Sequence, residues 1–268
     1  RFVATLNRLL RKDAMELREL VQDGADPYPR KAAMMAEVYK AACIAFGQPV
    51  QTFDFAYRDK DGNYHEERDL TPQAFYQKYV GLSLRDYVAV INEPTADKPL
   101  DTPIQFHAVE NMAGCDMKAL NLSQEALEEL CVKQLKNGQA IWFACDAGAF
   151  GARKEGIWDP ASVQYEALLG VFSTAMPKGK RLEYNSSSAT HAMLLTGVHF
   201  DKEGKPDRWK IENSWGKDVG DKGYFVCSEA YFQEFVYEAV IDRRHFSPAQ
   251  LAMLEKDPVV INAWDEDY

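Results

Sequence analysis

Apolar residues recur at helical spacing over the first part of this chain and at strand spacing over the last part, and this switch limits the folds open to it. Leu6, Leu9, Leu10, Leu17, Leu20 and Val21 repeat among charges until Asp23-Gly24, Pro27 and Pro29 stop the pattern, which places them on one face of a long helix. A second helix is expected from about Arg30 to Phe46, ended by Gly47 with Pro49 behind it. Thr52 to Arg58 and Asn63 to Glu66 read as short aromatic strands, and Thr71-Pro72 opens a helix that Gly81 closes. Ser123 to Lys136 carries Leu127, Leu130, Cys131 and Leu135 on one helical face. Strand-like runs then follow at Ala140 to Cys145, His191 to Phe200, Trp209 to Ser214, Gly223 to Cys227 and Tyr237 to Arg243, with a helix near Glu229 to Phe235. Helices first and strands later indicate an α+β fold, not alternating βαβ units. The division expected is a mainly helical region over 1–139 and a β-rich region over 140–268.

Composition narrows the function. With 46% hydrophobic and 27% charged residues the chain can bury a full core. Its formal net charge of -10 repels phosphate backbones and anionic lipid head groups, so neither nucleic acid nor a membrane is expected as a partner. No apolar run reaches the roughly 20 residues of a membrane helix and no signal peptide opens the chain, so a cytoplasmic location is expected. The five cysteines, Cys43, Cys115, Cys131, Cys145 and Cys227, fit neither a disulfide framework nor a CxxC zinc site and read as free thiols. The chain opens on Arg1 inside an amphipathic stretch, from which a fragment of a longer protein is expected.

Nucleotide-binding, P-loop, zincin and GxSxG motifs are missing from the sequence. His65-Glu66-Glu67 begins like a zincin motif, but Asp69 stands where the second histidine belongs, and the stretch reads as a solvated turn. The informative pair is the hairpin formed by Thr190 to Gly197 and Trp209 to Gly216, joined by the polar run Asp201 to Asp207. It puts His191 and Asn213 together at the end remote from the turn, with the register open by a few residues because a bulge would shift it. By strand parity Asn213 shares a face with Ile211, Trp209 and Trp215, whereas Glu212 points away. Parity alone favours a histidine and an asparagine that simply satisfy each other in the core. A metal site from His191, His199 and Asp201 is disfavoured, since eight residues of strand separate the histidines by about 26 Å.

Thr190-His191-Ala192-Met193 and Glu212-Asn213-Ser214-Trp215-Gly216 resemble the histidine and asparagine boxes of papain-like cysteine peptidases. The wider similarity is to the aminopeptidase C and bleomycin hydrolase family, through Leu70 to Tyr76, Ala96 to Pro99, Lys133 to Gly138, Trp142 to Asp146, Gly223 to Val226 and Ala263-Trp264-Asp265. The resemblance implies that His191 is general base and acid to a cysteine thiol, that Asn213 holds the ring in its productive tautomer, and that Trp215 shields their hydrogen bond. It implies the β-rich half of a papain-like fold preceded by a helical insertion. It also implies peptide substrates, no metal or organic cofactor, and a ring-shaped homohexamer.

The family's Gln…Gly-x-Cys-Trp nucleophile box does not occur here. Cys43 lies 148 residues before His191, within the papain-type spacing, but it falls near the C-terminus of its helix, where the dipole disfavours a thiolate, and Ile44 follows it in place of tryptophan. Cys145 is expected in the middle of a buried strand. The nucleophile is therefore expected on an N-terminal portion outside this sequence, and the chain alone is expected to be inactive. The alternative from another class is a non-catalytic assembly or interaction module that retains the peptidase fold. A hydrolase using Ser186, Ser187 or Ser188 is disfavoured, because these residues read as a flexible loop. In the resembling family the C-terminal carboxylate meets the substrate ammonium group, a role that falls here to Tyr268 at the end of an acidic, shortened tail.

Overall fold

The computed structural model describes residues 1–107, 116–170 and 175–262, arranged in two compact units, Arg1–Leu82 and Ser83–Tyr268. In the first, α1 (Phe2–Gln22) and α2 (Tyr28–Phe46) form a helical hairpin. Arg30 clamps Glu16 across it at 2.7 Å, and the Phe2 and Phe46 rings meet edge to face at 5.2 Å. An antiparallel pair follows, β1 (Phe53–Arg58) and β2 (Tyr64–Leu70). Its turn is held by Asp59, whose Oδ1 accepts the N–H groups of Asp61 and Asn63 at 2.9 Å each. His65, Glu66 and Glu67 lie within β2, in keeping with the strand expected over Asn63 to Glu66 and not with a solvated turn; His65 Nε2 pairs with Asp59 Oδ2 at 3.0 Å. Next comes α3 (Pro72–Phe75), which runs on as a π turn to Val80. Thr71 caps it by accepting from Ala74 N–H, and Gly81 closes it at φ 63°, as the Thr-Pro and Gly signals predict.

The second unit is built on one sheet. In chain order its elements are β3 (Tyr87–Ile91), β4 (Thr102–His107), β5 (Met117–Asn121), α4 (Gln124–Lys136), β6 (Ile141–Cys145), β7 (Gly151–Ala152), β8 (Ile157–Trp158), α5 (Tyr165–Leu169) and α6 (Lys178–Glu183). They continue with β9 (His191–Phe200), β10 (Pro206–Glu212), β11 (Tyr224–Ser228), α7 (Glu229–Phe235), β12 (Val236–Asp242), α8 (Pro248–Met253) and β13 (Val259–Asn262). The strand order is β13-β4-β5-β3-β12-β6-β9-β10-β11-β8-β7. The arrangement is α+β. The boundary expected between 139 and 140 differs from that between the compact units, which falls after Leu82, because β3, β4 and β5 pair into the same sheet as the later strands.

Alternate residues of the central strands point into one core. Ile141, Phe143 and Cys145 of β6, Met193 and Leu195 of β9, Trp209 and Ile211 of β10, Phe225 and Cys227 of β11, and Ala239 and Ile241 of β12 are all buried there. Leu127, Leu130 and Cys131 of α4 and Tyr231, Phe232 and Phe235 of α7 complete it. Burying such side chains contributes about 1.5–3 kcal/mol each. The core therefore supplies a firm wall behind the end of β9.

Candidate active site

His191 is the first residue of β9 and stands opposite Cys145, the last residue of β6. The chain entering it is fixed on both sides: Thr190 N–H donates to the Cys145 carbonyl at 3.0 Å, and Thr190 Oγ1 accepts from Ala147 N–H at 3.1 Å. Asn213 follows the last residue of β10, with its N–H on the Gly223 carbonyl at 3.1 Å. Gly223 has φ +90°, and a Cβ there would lie 3.3 Å from the Gly216 carbonyl oxygen, so the turn facing Asn213 favours glycine on two counts.

One bulge decides which face His191 occupies. Lys210 pairs with Gly197, but the next residue, Ile211, pairs with Leu195, so β9 carries one extra residue at Thr196. Directly opposed residues share a face, so this shift puts Leu195, Met193 and His191 on the side of Ile211 and Asn213. Without it Ile211 would face Thr196 and His191 would point to the other side.

The two side chains meet, with His191 Nε2 2.9 Å from Asn213 Oδ1. An amide oxygen only accepts, and Ser214 N–H also donates to it at 2.7 Å, so Nε2 is assigned the ring proton. The lone pair of the neutral ring then lies on Nδ1. Trp215 stacks on the imidazole with centroids 4.9 Å apart and planes at 18°. Its indole is held by Trp158 at 5.9 Å and by the edge of Phe225 at 5.6 Å, and the Arg153 guanidinium carbon lies 4.4 Å from the ring centre.

A polar network under the site was not legible in the sequence. Tyr237 O–H donates to Ser187 Oγ at 2.7 Å, and Ser187 Oγ–H donates to Asp146 Oδ2 at 2.7 Å. Tyr231 O–H donates to the Asp146 carbonyl at 2.5 Å. Ser187 is thus buried and engaged, not part of a free loop, and its hydroxyl proton is committed to Asp146. The segment leading to it is anchored by Lys178, whose ammonium donates to Gln124 Oε1 at 2.8 Å and to the carbonyls of Gln233 at 3.0 Å and Val236 at 2.6 Å. Burial away from any contacting carboxylate pushes this lysine down to about 7. Beside it Gly179 is wedged against the Pro94 carbonyl, where a Cβ would lie 2.0 Å from the oxygen.

Three of the described cysteines are buried in surroundings that oppose a thiolate. Cys131, Cys145 and Cys227 are 0% exposed, and burial pushes each thiol up, Cys145 to about 12. Cys145 sits at the end of its strand, not in the middle as expected, yet it is just as buried. Cys43 lies in the last turn of α2, and its carbonyl accepts the capping N–H of Gly47. Cys115 and Tyr268, with the rest of the acidic tail, lie outside the described residues. His199 sits far along β9 and pairs with Asp207 across the hairpin. Among the described residues no group of three or more His, Cys, Asp and Glu side chains could hold a metal ion.

The pattern of the Peptidase C1-like family matches residues 1–266. An aminopeptidase C from Streptococcus thermophilus is 43% identical over 264 residues, covering 97% of this chain and 59% of that protein. A bleomycin hydrolase from Rattus norvegicus is 36% identical over 269 residues, with the same shares covered. The crystal structure of PepW from Lactobacillus rhamnosis superposes with a TM-score of 0.94 at 42% identity, over 98% of this chain and 60% of that one. The chain thus spans about three fifths of the length of these relatives. With a match running from residue 1 to residue 266 and the His–Asn–Trp cluster in place, the chain belongs to the Peptidase C1-like family.

Proposed function

We propose that this chain is the base-and-orienter portion of a cysteine aminopeptidase, which releases N-terminal residues from peptides through a thiol acyl-enzyme. The observation that carries this reading is the 2.9 Å contact between His191 Nε2 and Asn213 Oδ1 under a stacked Trp215. It leaves Nδ1 free to take a thiol proton and to return it to the leaving amine. Asn213 fixes the tautomer, and Trp215 keeps water from competing for the hydrogen bond. The resemblance to aminopeptidase C and bleomycin hydrolase supports the substrate class.

The nucleophile in this reading belongs to a separate N-terminal portion, because burial of Cys131, Cys145 and Cys227 and the helix-end position of Cys43 oppose a thiolate on the described part of this chain. No metal or organic cofactor takes part. The working form is a cytoplasmic homo-oligomer, a hexamer by analogy with the resembling family, and the Tyr268 carboxylate selects substrates with a free amino terminus. The same cysteine environments favour the second reading, an assembly module that keeps the fold without the chemistry. The test is turnover of aminoacyl-coumarin amides by the purified chain. No hydrolysis is expected, before or after alkylation of its thiols, and thiol-sensitive turnover would refute the assignment of the nucleophile to another portion.

A further inference from the structure

Arg153 lies beside the site, joined to Trp215 by a cation–π contact. Its guanidinium lies over Trp215, the ring that stacks on His191, and it is exposed to solvent. Among the described residues it joins no ion pair, although the chain carries a net charge of -10 and Glu155, Asp218 and Asp221 lie close to it in sequence or on the neighbouring turn.

The turn that presents Arg153 is built tightly. Gly156 N–H donates to the Ala152 carbonyl at 2.9 Å, Gly220 N–H to the Lys154 carbonyl at 3.1 Å, and Val226 N–H to the Gly156 carbonyl at 2.8 Å. A Cβ on Gly151 would lie 2.6 Å from Trp158 Nε1, and one on Gly156 would lie 2.6 Å from Gly220 Cα. Gly151 thus makes room for the Trp158 indole, and Gly156 for the close approach of the Gly220 backbone. The residues on either side of Arg153 are held in this packing, Ala152 through its carbonyl to Gly156 N–H and Lys154 through its carbonyl to Gly220 N–H.

We propose that Arg153 is a specificity-determining residue that binds the terminal carboxylate of short peptides on the leaving-group side of His191. This rests on the aminopeptidase reading above. In that reaction the imidazole protonates the departing amine, so the departing peptide passes along the ring that carries Trp215 and, beyond it, Arg153. When that peptide is one or two residues long, its carboxylate falls within reach of the guanidinium, whose planar fork matches a carboxylate in two hydrogen bonds. Longer peptides and amides present no charge there. The enzyme would consequently prefer di- and tripeptides with a free C-terminus.

The test reads binding on this chain, so its failure is separate from any failure of turnover. The 15N-labelled chain is titrated with glycylglycine and with glycylglycinamide, following the Trp215 indole and Arg153 Nε signals, assigned with Trp215→Phe and Arg153→Met. The free carboxylate is expected to bind about fivefold tighter than the amide, in keeping with a solvent-exposed charge pair. Arg153→Met should make the two ligands equal, while Arg153→Lys should keep a preference for the carboxylate. Equal binding to the unsubstituted chain, no binding of either ligand, or a preference that survives Arg153→Met would overturn the proposal. A preference lost in Arg153→Lys as well would contradict its basis in charge.

Discussion

At the scale of single residues the site depends on one acceptor. Asn213 Oδ1 takes both the His191 ring N–H and the Ser214 backbone N–H, so the tautomer of the imidazole follows from an amide that cannot rotate without breaking two bonds. Asn213→Ala should therefore remove the slowly exchanging Nε2 proton of His191 from the 15N–1H spectrum while the fold persists; a proton that stays protected would show that another group holds the ring. Gly179 makes a separate, purely steric case. A methyl group there meets the Pro94 carbonyl, so Gly179→Ala should cost about 1–3 kcal/mol in denaturant unfolding through overpacking. That His191 and Asn213 are neighbours beside Trp215 was legible because all three lie in short strings on one hairpin, whereas their roles came from the resemblance of those strings to the peptidase boxes. Ser187, Tyr237, Asp146 and Lys178 were not, because their partners lie on distant segments and no local pattern announces them.

At the scale of elements, helix caps and turn residues were the most readable signals. Thr71, Ser123 and Ser228 each cap the helix that follows, and the ends of α7 fall where the sequence places them. The strands β3, β4 and β5 went unread, although Tyr87-Val-Ala-Val-Ile91 is an apolar run of strand length. Their identity rests on pairing with β12 and with one another across long stretches of chain, which periodicity does not encode. The bulge at Thr196 belongs here too, since a single extra residue carries His191 to the face of Asn213. A pH-sensitive contact joins α4 to α7. Burial and the neighbouring Glu229 push Glu128 up to about 7, while Gln233 N–H groups reach both carboxyls and Glu125 adds a further negative charge. Between about pH 4.5 and 7 the folded chain then holds a proton that the unfolded chain has released, so the contribution of Glu128 to stability falls as pH rises through that window and levels off above it, and buried Glu238, also pushed up to about 7, acts in the same direction. Glu128→Gln should make this slope shallower in thermal melts run across the range, with the share of Glu238 remaining; an unchanged slope would assign all of it to other groups.

For the whole molecule, fold class was readable from the order of its hydrophobic patterns, and the division into units was not. Among its described residues the 83–139 stretch mixes strands with one α-helix, and it belongs with the later residues because its strands share their sheet. The central claim is that this chain provides the catalytic base and its orienter to a thiol carried elsewhere. Its most direct test joins the chain to the portion of the Streptococcus thermophilus aminopeptidase C that lies outside the match, and measures hydrolysis of an aminoacyl-coumarin amide. The joined protein should show thiol-sensitive turnover that falls by about 10³-fold or more in His191→Ala, as expected for loss of a general base acting with its nucleophile. A folded joined protein that stays inert, or one whose turnover survives His191→Ala, would contradict the account.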